Sequence, residues 1–396
     1  MKKNRPAKQQ DYTIPGIAIT AILLLVVLAA GWYMAKILNP PVTGELLTDD
    51  GPLDRQYLVY RTERVLSRGD SPEPNDDTVV YEFFRYPLDG SALRGESIFR
   101  IERERQDDGV GQPWMKQVAR NILLFARREQ DSTAAAWIDV SGNELLTTDE
   151  TTADVIWSGL PAPDGTKTVY YNWTTGRVVV APYEGLPTEY DLGTEQAFEP
   201  VAWGERSNLL YLKAMSEGGL PVAGLWRLNT ANGSADEITA VRELKLYDFD
   251  IDVVHDRLVG ATFVCATLEE CGTGPSSLHM VDLIDGTSIE LFSDDHLAFG
   301  NPRISSDATR VGYTMSNGRS DVWCSGLDVA GRDEFIISGR LLDWTADKEK
   351  LVVERDGRLQ IVSIADQTIV TVAERSGSYQ DPDFHGLEYI GIVSKQ

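Results

Sequence analysis

The sequence predicts an all-β protein, a β-propeller preceded by a single membrane-spanning helix. Two short sequence units recur along the chain, and one long uncharged apolar run lies near the N-terminus. The units recur about every 40–50 residues, which is the usual length of a propeller blade. The chain has 396 residues, which is more than a single hydrophobic core usually contains. A repetitive architecture accounts for this length.

The first unit is a strand, a tight turn and a second strand, and it occurs seven times. Its strands alternate apolar and polar residues or are rich in β-branched residues, a pattern typical of β-structure. Gly, Asn and Asp tolerate the positive φ that tight hairpin turns require. The turns are Asp89-Gly90, Ser141-Gly142, Glu184-Gly185, Asn232-Gly233, Asp285-Gly286, Ala330-Gly331 and Ala365-Asp366.

The second unit precedes most of these hairpins and consists of a Pro or aromatic residue, a polar turn and an apolar strand. Trp203 and Trp344 begin two clear copies, and Pro113-Trp114 is interpreted as the start of the second repeat. The two units together provide four strands per repeat, and four-stranded sheets arranged radially form a propeller.

The ends of the chain are expected to close the ring. The tail segment Asp381–Val393 resembles the first half of a repeat, and Gly44–Thr48 resembles an outer strand. Strands from both ends would then share one sheet, which removes an open edge. Seven blades are predicted, or eight if the terminal pieces form a composite blade of their own.

Some of these residues match a known repeat. Pro163-Asp164-Gly165 and Ser306-Asp307 fit the turn of the TolB-type, WD40-like (PD40) propeller repeats of bacterial envelope proteins. The resemblance covers about residues 55–390, although the Asp-Gly turn is missing at Arg206-Ser207 and Lys348-Glu349. It implies the propeller fold and a role in protein interaction or assembly in the cell envelope.

The N-terminal region predicts a membrane anchor. Residues 1–12 are basic, and residues 13–37 contain an apolar run that can cross a hydrocarbon core about 30 Å thick. The basic flank places the N-terminus in the cytoplasm. Residues 38–54 then form a linker and possible closing strand, and residues 55–396 form an extracytoplasmic propeller. A cleaved signal peptide, with a cleavage site at Leu28-Ala29-Ala30, is the competing interpretation.

The net charge bears on the class of partner, and the cysteine content agrees with the extracytoplasmic location. The net charge is −24, which disfavours a nucleic-acid partner because the phosphate backbone would be repelled. Cys265 and Cys271 flank a short segment and are candidates for a disulfide in an oxidising compartment, or for two reduced thiols. Cys324 lies in an apolar strand and is expected to be a small buried side chain.

No catalytic motif is visible, and the predicted function is therefore non-enzymatic binding of an envelope or membrane protein or of a ligand. The alternative is a propeller enzyme, or a sensor of a small ligand or metal, that uses the central channel. Asp248, Asp250 and Asp252 alternate along one strand, so their carboxylates would share a face. They are candidates for a Ca²⁺ site; the alternative interpretation is a polar strand face. No cofactor is predicted otherwise.

Overall fold

The computed structural model describes most of the chain beyond residue 55. The described residues are 56–67, 77–104, 112–119, 121–129, 132–148, 159–162, 164, 166–182, 185–204, 207–215, 223–262, 275–316, 319–327, 334–345, 347–377 and 384–395. The predicted segments 1–12, 13–37 and 38–54, including Gly44–Thr48, lie outside these residues.

The described residues form a seven-bladed β-propeller with four-stranded antiparallel blades. Blades 1 to 3 comprise β1 (Gln56–Ser67), β2 (Thr78–Pro87) and β3 (Glu96–Glu104); β4 (Trp114–Ala119), β5 (Ile122–Glu129), β6 (Ser132–Ile138) and β7 (Glu144–Thr148); and β8 (Leu160–Pro161), β9 (Lys167–Asn172), β10 (Arg177–Pro182) and β11 (Thr188–Tyr190). A strand from the C-terminal end of the chain completes blade 1.

Blades 4 to 7 follow in chain order. They comprise β12 (Phe198–Trp203), β13 (Leu209–Ala214), β14 (Leu225–Asn229) and β15 (Ala235–Glu237); β16 (Leu246–Asp252), β17 (Arg257–Thr262), β18 (Ser276–Asp282) and β19 (Ser288–Asp294); β20 (Ala298–Ile304), β21 (Arg310–Ser316), β22 (Ser320–Gly326) and β23 (Glu334–Ser338); and β24 (Arg340–Trp344), β25 (Lys350–Arg355), β26 (Arg358–Ser363) and β27 (Ile369–Glu374). The short helix α1 (Thr239–Glu243) connects blades 4 and 5.

The seven predicted hairpins are confirmed, because each corresponds to the third and fourth strands of one blade. Gly90 and Gly286 have φ angles of +76° and +74°, as their turns require. Where the Asp-Gly turn is missing, Ser207 and Lys348 themselves adopt φ angles of 52° and 64°. The backbone therefore keeps the turn although the sequence signal is absent.

The ring is closed by the C-terminal strand β28 (His385–Ser394). β28 pairs antiparallel with β1, from Gln56 opposite Ser394 to Arg64 opposite His385, and is the innermost strand of blade 1. The two ends of the chain therefore share one sheet, but its N-terminal strand is β1, and the predicted segment Gly44–Thr48 lies outside the described residues. The blade number is seven.

The hydrophobic core lies between blades rather than in one centre. Val59, Tyr81 and Phe83 of blade 1 pack against Leu123 and Phe125 of blade 2, and similar clusters join other neighbouring blades. A blade packed on both sides needs apolar residues on both faces of its strands. This explains runs such as Leu209-Leu210-Tyr211-Leu212, which do not alternate.

The disc has two distinct faces. Because neighbouring strands are antiparallel, the turns between first and second strands, and between third and fourth strands, lie at one end of each blade. We call this end the hairpin face; Asp89-Gly90 lies on it. The turns between second and third strands, such as 173–176, and the connections between blades lie at the other end, the loop face.

Candidate functional site

The innermost strands bring together charged and polar side chains from four blades. Asp248 and Asp250 lie on β16, Arg303 on β20, Asp343 on β24 and Tyr389 on β28. These strands contact each other in that order around the ring. We call these five residues the inner-strand cluster.

A β-bulge accompanies each of these strands. In three blades, the pairing of the innermost strand with the second strand shifts register. The shift lies between Leu246 and Asp248 on β16, between Gly300 and Arg303 on β20, and between Leu341 and Asp343 on β24. A further shift lies on β28 between Tyr389 and Gly391. Because a bulge re-aims the neighbouring side chain, it turns each charged residue towards the adjacent inner strand instead of leaving it in the simple alternation of a regular strand.

The hydrogen bonds of the cluster run from blade to blade. The backbone N–H groups of Asn301 and Ile304, on blade 6, donate to the carboxylates of Asp248 and Asp250, on blade 5, the second with an N–O distance of 2.8 Å.

The same pattern continues around the ring. Arg303 Nε donates to the backbone oxygen of Leu342 on blade 7, with a distance of 2.9 Å. The Tyr389 hydroxyl of blade 1 donates to Asp343 Oδ2 of blade 7, with a distance of 2.7 Å. The cluster therefore joins blades 5, 6, 7 and 1 in sequence.

The electrostatics of the cluster follow from one guanidinium among three carboxylates. Burial raises the pKa of Asp250, and the positive charge of Arg303 offsets part of that increase. Burial likewise raises the pKa of Asp343, opposed by Arg303 and by the hydrogen bond from Tyr389. Burial and the Asp343 carboxylate raise the pKa of Tyr389 well above its ordinary value. The phenol therefore stays protonated at neutral pH and serves as a hydrogen-bond donor.

Arg303 is held charged. Its burial lowers the pKa of the guanidinium, but the negative charges of Asp250, Asp343 and Asp248 outweigh this effect, so the pKa is raised. A permanent cation between two carboxylates of raised pKa balances charge across the blade boundaries.

The three predicted metal ligands have separate partners. Asp248 and Asp250 accept backbone N–H groups of blade 6, as described. Asp252 instead stabilises the turn that follows β16, accepting the N–H groups of Val254 and His255, while its other oxygen lies 2.6 Å from His255 Nδ1. No group of three or more His, Cys, Asp or Glu side chains in the described part of the chain is arranged to hold a metal ion. The Ca²⁺ site stays a prediction.

Arg303, Asp343 and Tyr389 were not anticipated from the sequence. Strand register shows that Asp250, Arg303 and Asp343 are equivalent, since they pair with Val259, Gly312 and Val352 at the same position of the second strand. An alignment of the second sequence unit across repeats would have placed these three charged residues in one column.

The loop face carries two adjoining cavities beside blades 5, 6 and 7. One has a volume of about 380 Å³ and the other about 250 Å³, and Ser320 and Arg340 line both. The larger cavity is also lined by Arg319 and Arg355, and the smaller one by Asp248. The cavities therefore lead from the boundary of blades 6 and 7 towards the inner-strand cluster.

The described residues test the prediction for Cys324 but not the one for Cys265 and Cys271. Cys265 and Cys271 lie outside the described residues, so their disulfide stays a prediction. Cys324 is buried as expected, and burial raises the pKa of its thiol to about 12. A thiol with that pKa is a poor nucleophile at neutral pH.

In the described part of the chain, no helix has both the length and the apolar character needed to span a membrane. The anchor predicted at residues 13–37 lies outside that part.

Comparison with known proteins supports the fold. Neither a family model nor a curated protein sequence matches the chain. Among solved structures, an oligogalacturonate lyase in complex with manganese is 12% identical, covers 83% of this chain and 88% of its own, and gives a TM-score of 0.51.

Two further structures are similar. TolB from Acinetobacter baumannii is 11% identical, with coverage of 84% of this chain and 82% of its own and a TM-score of 0.37. The tricorn protease is 12% identical over 87% of this chain, with a TM-score of 0.49, and the match spans only 36% of its length. The similarity to the oligogalacturonate lyase, at 12% identity, shows the propeller fold alone, and membership of the TolB-type, PD40 family stays a resemblance.

Proposed function

We propose that this chain is a membrane-anchored, extracytoplasmic binding module of the cell envelope that acts without catalysis and uses its loop face. The observation that carries the proposal is the set of contacts that the inner-strand cluster makes between blades. Each of its charged groups bonds to, or is balanced by, a group of a neighbouring blade, so the cluster serves to hold blades together. The residues that carry the function are then expected on the surface of the rigid ring.

The loop face is the better of the two surfaces for binding. It contains both cavities, and the connections between blades lie there. The described turns of the hairpin face are short and bond within themselves, as Asp139 does by accepting the N–H groups of Ser141 and Asn143. Connections of variable length over a rigid scaffold are where binding residues usually lie.

The location in the envelope is supported by the sequence. The apolar run within residues 13–37 and its basic flank predict a single-pass anchor with the N-terminus in the cytoplasm. Attachment to the membrane would raise the effective concentration of the disc near its envelope partners.

Photo-crosslinking in cells tests the proposal. A photoreactive phenylalanine analogue replaces Trp173 on the loop face, where 49% of the residue is exposed. The matched control replaces Leu93 on the hairpin face, which is 98% exposed. We expect a discrete protein adduct from position 173 and none from position 93. Absence of any adduct from position 173, or turnover of a substrate that depends on Asp250 or Asp343, would contradict the proposal and favour an enzyme that uses the channel.

A further inference from the structure

Three arginines converge at the boundary of blades 6 and 7 on the loop face. Arg319 immediately precedes β22, Arg340 begins β24 and Arg355 ends β25. All three line the cavity of about 380 Å³, and the acidic residues that line it are Glu354 and Asp356. This local excess of positive charge stands out in a chain with a net charge of −24.

The internal ion pairs leave part of this positive charge uncompensated. Arg340 Nη2 lies 2.8 Å from Glu354 Oε2, which engages one edge of that guanidinium. Arg355 Nε lies 3.5 Å from Asp356 Oδ2, and Asp356 is 81% exposed, so this pair is solvated and weak. Arg319 is exposed and forms no ion pair with any residue that the structure describes.

The surroundings of the arginines suit a ligand with hydrogen-bonding oxygens. Ser320 and Ser338, whose side chains are hydroxyl groups, line the same cavity, and Ser320 and Arg340 also line the second cavity of about 250 Å³. The combined volume falls in the range of small-ligand sites, roughly 300–1,000 Å³. Guanidinium groups bind carboxylates with two parallel hydrogen bonds, which makes arginine the usual residue for recognising them.

We infer that this cavity binds a carboxylate group, clamped between Arg319 and Arg355 with Arg340 behind them. The inference rests on the proposed binding function and names the chemistry that the loop face recognises. The negative charge of the whole molecule opposes long-range attraction of a polyanion, so the ligand carries a few carboxylates that are recognised at contact distance. Its source is either an acidic segment of a protein partner or a free small acid.

Calorimetric titration of the full chain tests the inference. The probes are citrate and two peptides of equal length, triglutamate and triglutamine, both amidated at the C-terminus so that only triglutamate carries carboxylates. We expect the chain to bind at least one carboxylate probe and not triglutamine, with an affinity that falls as salt is added. Binding of triglutamate alone identifies a protein segment as the source, and binding of citrate alone identifies a small acid.

Variants locate the site. We expect Arg319→Ala to weaken binding of the carboxylate probe about 10-fold or more and Arg319→Lys to restore part of it, because lysine keeps the charge but not the paired hydrogen bonds. The control is Arg94→Ala, which removes the same charge from an exposed residue of the hairpin face. Because Arg319 is exposed, Arg319→Ala is expected to keep the urea unfolding midpoint of the parent chain.

Two results would overturn the inference. One is that neither carboxylate probe binds the full chain; the other is that Arg319→Ala and Arg94→Ala weaken binding equally. Either result combined with a discrete adduct at position 173 would leave the binding function in place and refute only the carboxylate site. If the adduct at position 173 is also absent, the binding function itself fails.

Discussion

Single side chains couple the blades of this propeller. The hydroxyl of Tyr389 donates to Asp343 across the boundary of blades 7 and 1, and Trp203 and Trp344 each donate an indole N–H to a backbone oxygen of the preceding blade, with distances of 3.1 Å and 2.8 Å. Such bonds satisfy polar groups that burial would otherwise leave without partners, and a buried carboxylate without a donor is costly.

Replacement of Tyr389 tests the first of these bonds. We expect Tyr389→Phe to lower the free energy of unfolding by about 1–3 kcal/mol, because the Asp343 carboxylate loses its side-chain donor while remaining buried. Urea denaturation followed by tryptophan fluorescence measures the change. The control is Tyr57→Phe, which removes a hydroxyl from a tyrosine of β1. An equal effect of both variants would show that the Tyr389–Asp343 bond contributes nothing specific.

A second residue-scale prediction concerns pH. Burial raises the pKa of Asp307, but the hydrogen bonds from Ser305 and Thr309 and the nearby Lys348 together outweigh it and lower the pKa well below its ordinary value of 3.8. A carboxylate with a lowered pKa in the folded state stabilises the fold above pH 3.8, and this contribution is lost as the pH falls below that value towards the folded-state pKa.

We therefore expect Asp307→Asn to be less stable than the parent chain at pH 7, by on the order of 1 kcal/mol, and the difference to shrink at pH 3. Urea midpoints at the two pH values measure this. Asp236→Asn is the control, since its exposed carboxylate accepts no hydrogen bond that the structure describes. A difference that is the same at both pH values would count against the assignment.

At the scale of strands, the bulges of the inner strands and the short connections between blades set the geometry of both candidate regions. Gly339 is the only residue between β23 and β24, and its φ is +149°. A Cβ at this position would lie 2.7 Å from Val353 Cγ1 and 2.8 Å from the backbone oxygen of Glu354. The connection therefore requires glycine for its conformation and for the close approach of blade 7.

We expect Gly339→Ala to lower the free energy of unfolding by about 3 kcal/mol or more, from backbone strain of about 1–2 kcal/mol together with the steric clash. Gly193→Ala separates the two causes. Gly193 has a φ of +70° and open space around its Cβ position, so it should show the backbone strain alone. Equal losses in the two variants, measured by urea denaturation, would refute the close approach at Gly339.

At the scale of the whole molecule, closure of the ring by β28 makes the disc one cooperative structure. β28 covers the edge of β1 and adds Val393 to the core between blades 1 and 2. Its neighbour on the other side, β4, is joined through Gln117, which donates to the backbone oxygen of Ile392 with a distance of 2.6 Å. Loss of this strand would expose an edge and break the contact of blade 1 with both neighbours.

Deletion of residues 380–396 is expected to abolish the single cooperative unfolding transition and to cause aggregation. The matched truncation ends at Ser394, which keeps the last pair of the β28–β1 ladder and should unfold like the full chain. Fluorescence and circular dichroism during urea unfolding would report both outcomes. A deletion variant with an unchanged cooperative transition would show that the tail does not close the ring.

The membrane anchor predicted at residues 13–37 can be tested independently of the propeller. We expect the chain to remain in the membrane fraction after alkaline carbonate extraction, and a variant lacking residues 2–37 but carrying a cleavable export signal to be released. Release of the full chain by carbonate would contradict the single-pass assignment and favour the cleaved signal peptide.

The sequence by itself determined the architecture, because strand periodicity and turn chemistry are local properties. The seven hairpins, the four-stranded repeat and the joining of the two ends were all readable from residue patterns, and even Trp203 and Trp344 were visible as recurrent aromatic residues. The net charge of −24 disfavours a nucleic-acid partner, and that expectation stays a prediction.

Only the tertiary structure decided which residues meet. Asp248 and Tyr389 are more than a hundred positions apart, and bulges that no sequence pattern marked turn Asp343 and Arg303 across blade boundaries. The same holds for Arg319 and Arg355, which the packing of blades 6 and 7 and the antiparallel strand order place at one end of adjacent blades. Turn and strand preferences act over a few residues, whereas a propeller assembles its sites from separate blades, so the ring had to be seen before the sites could be named.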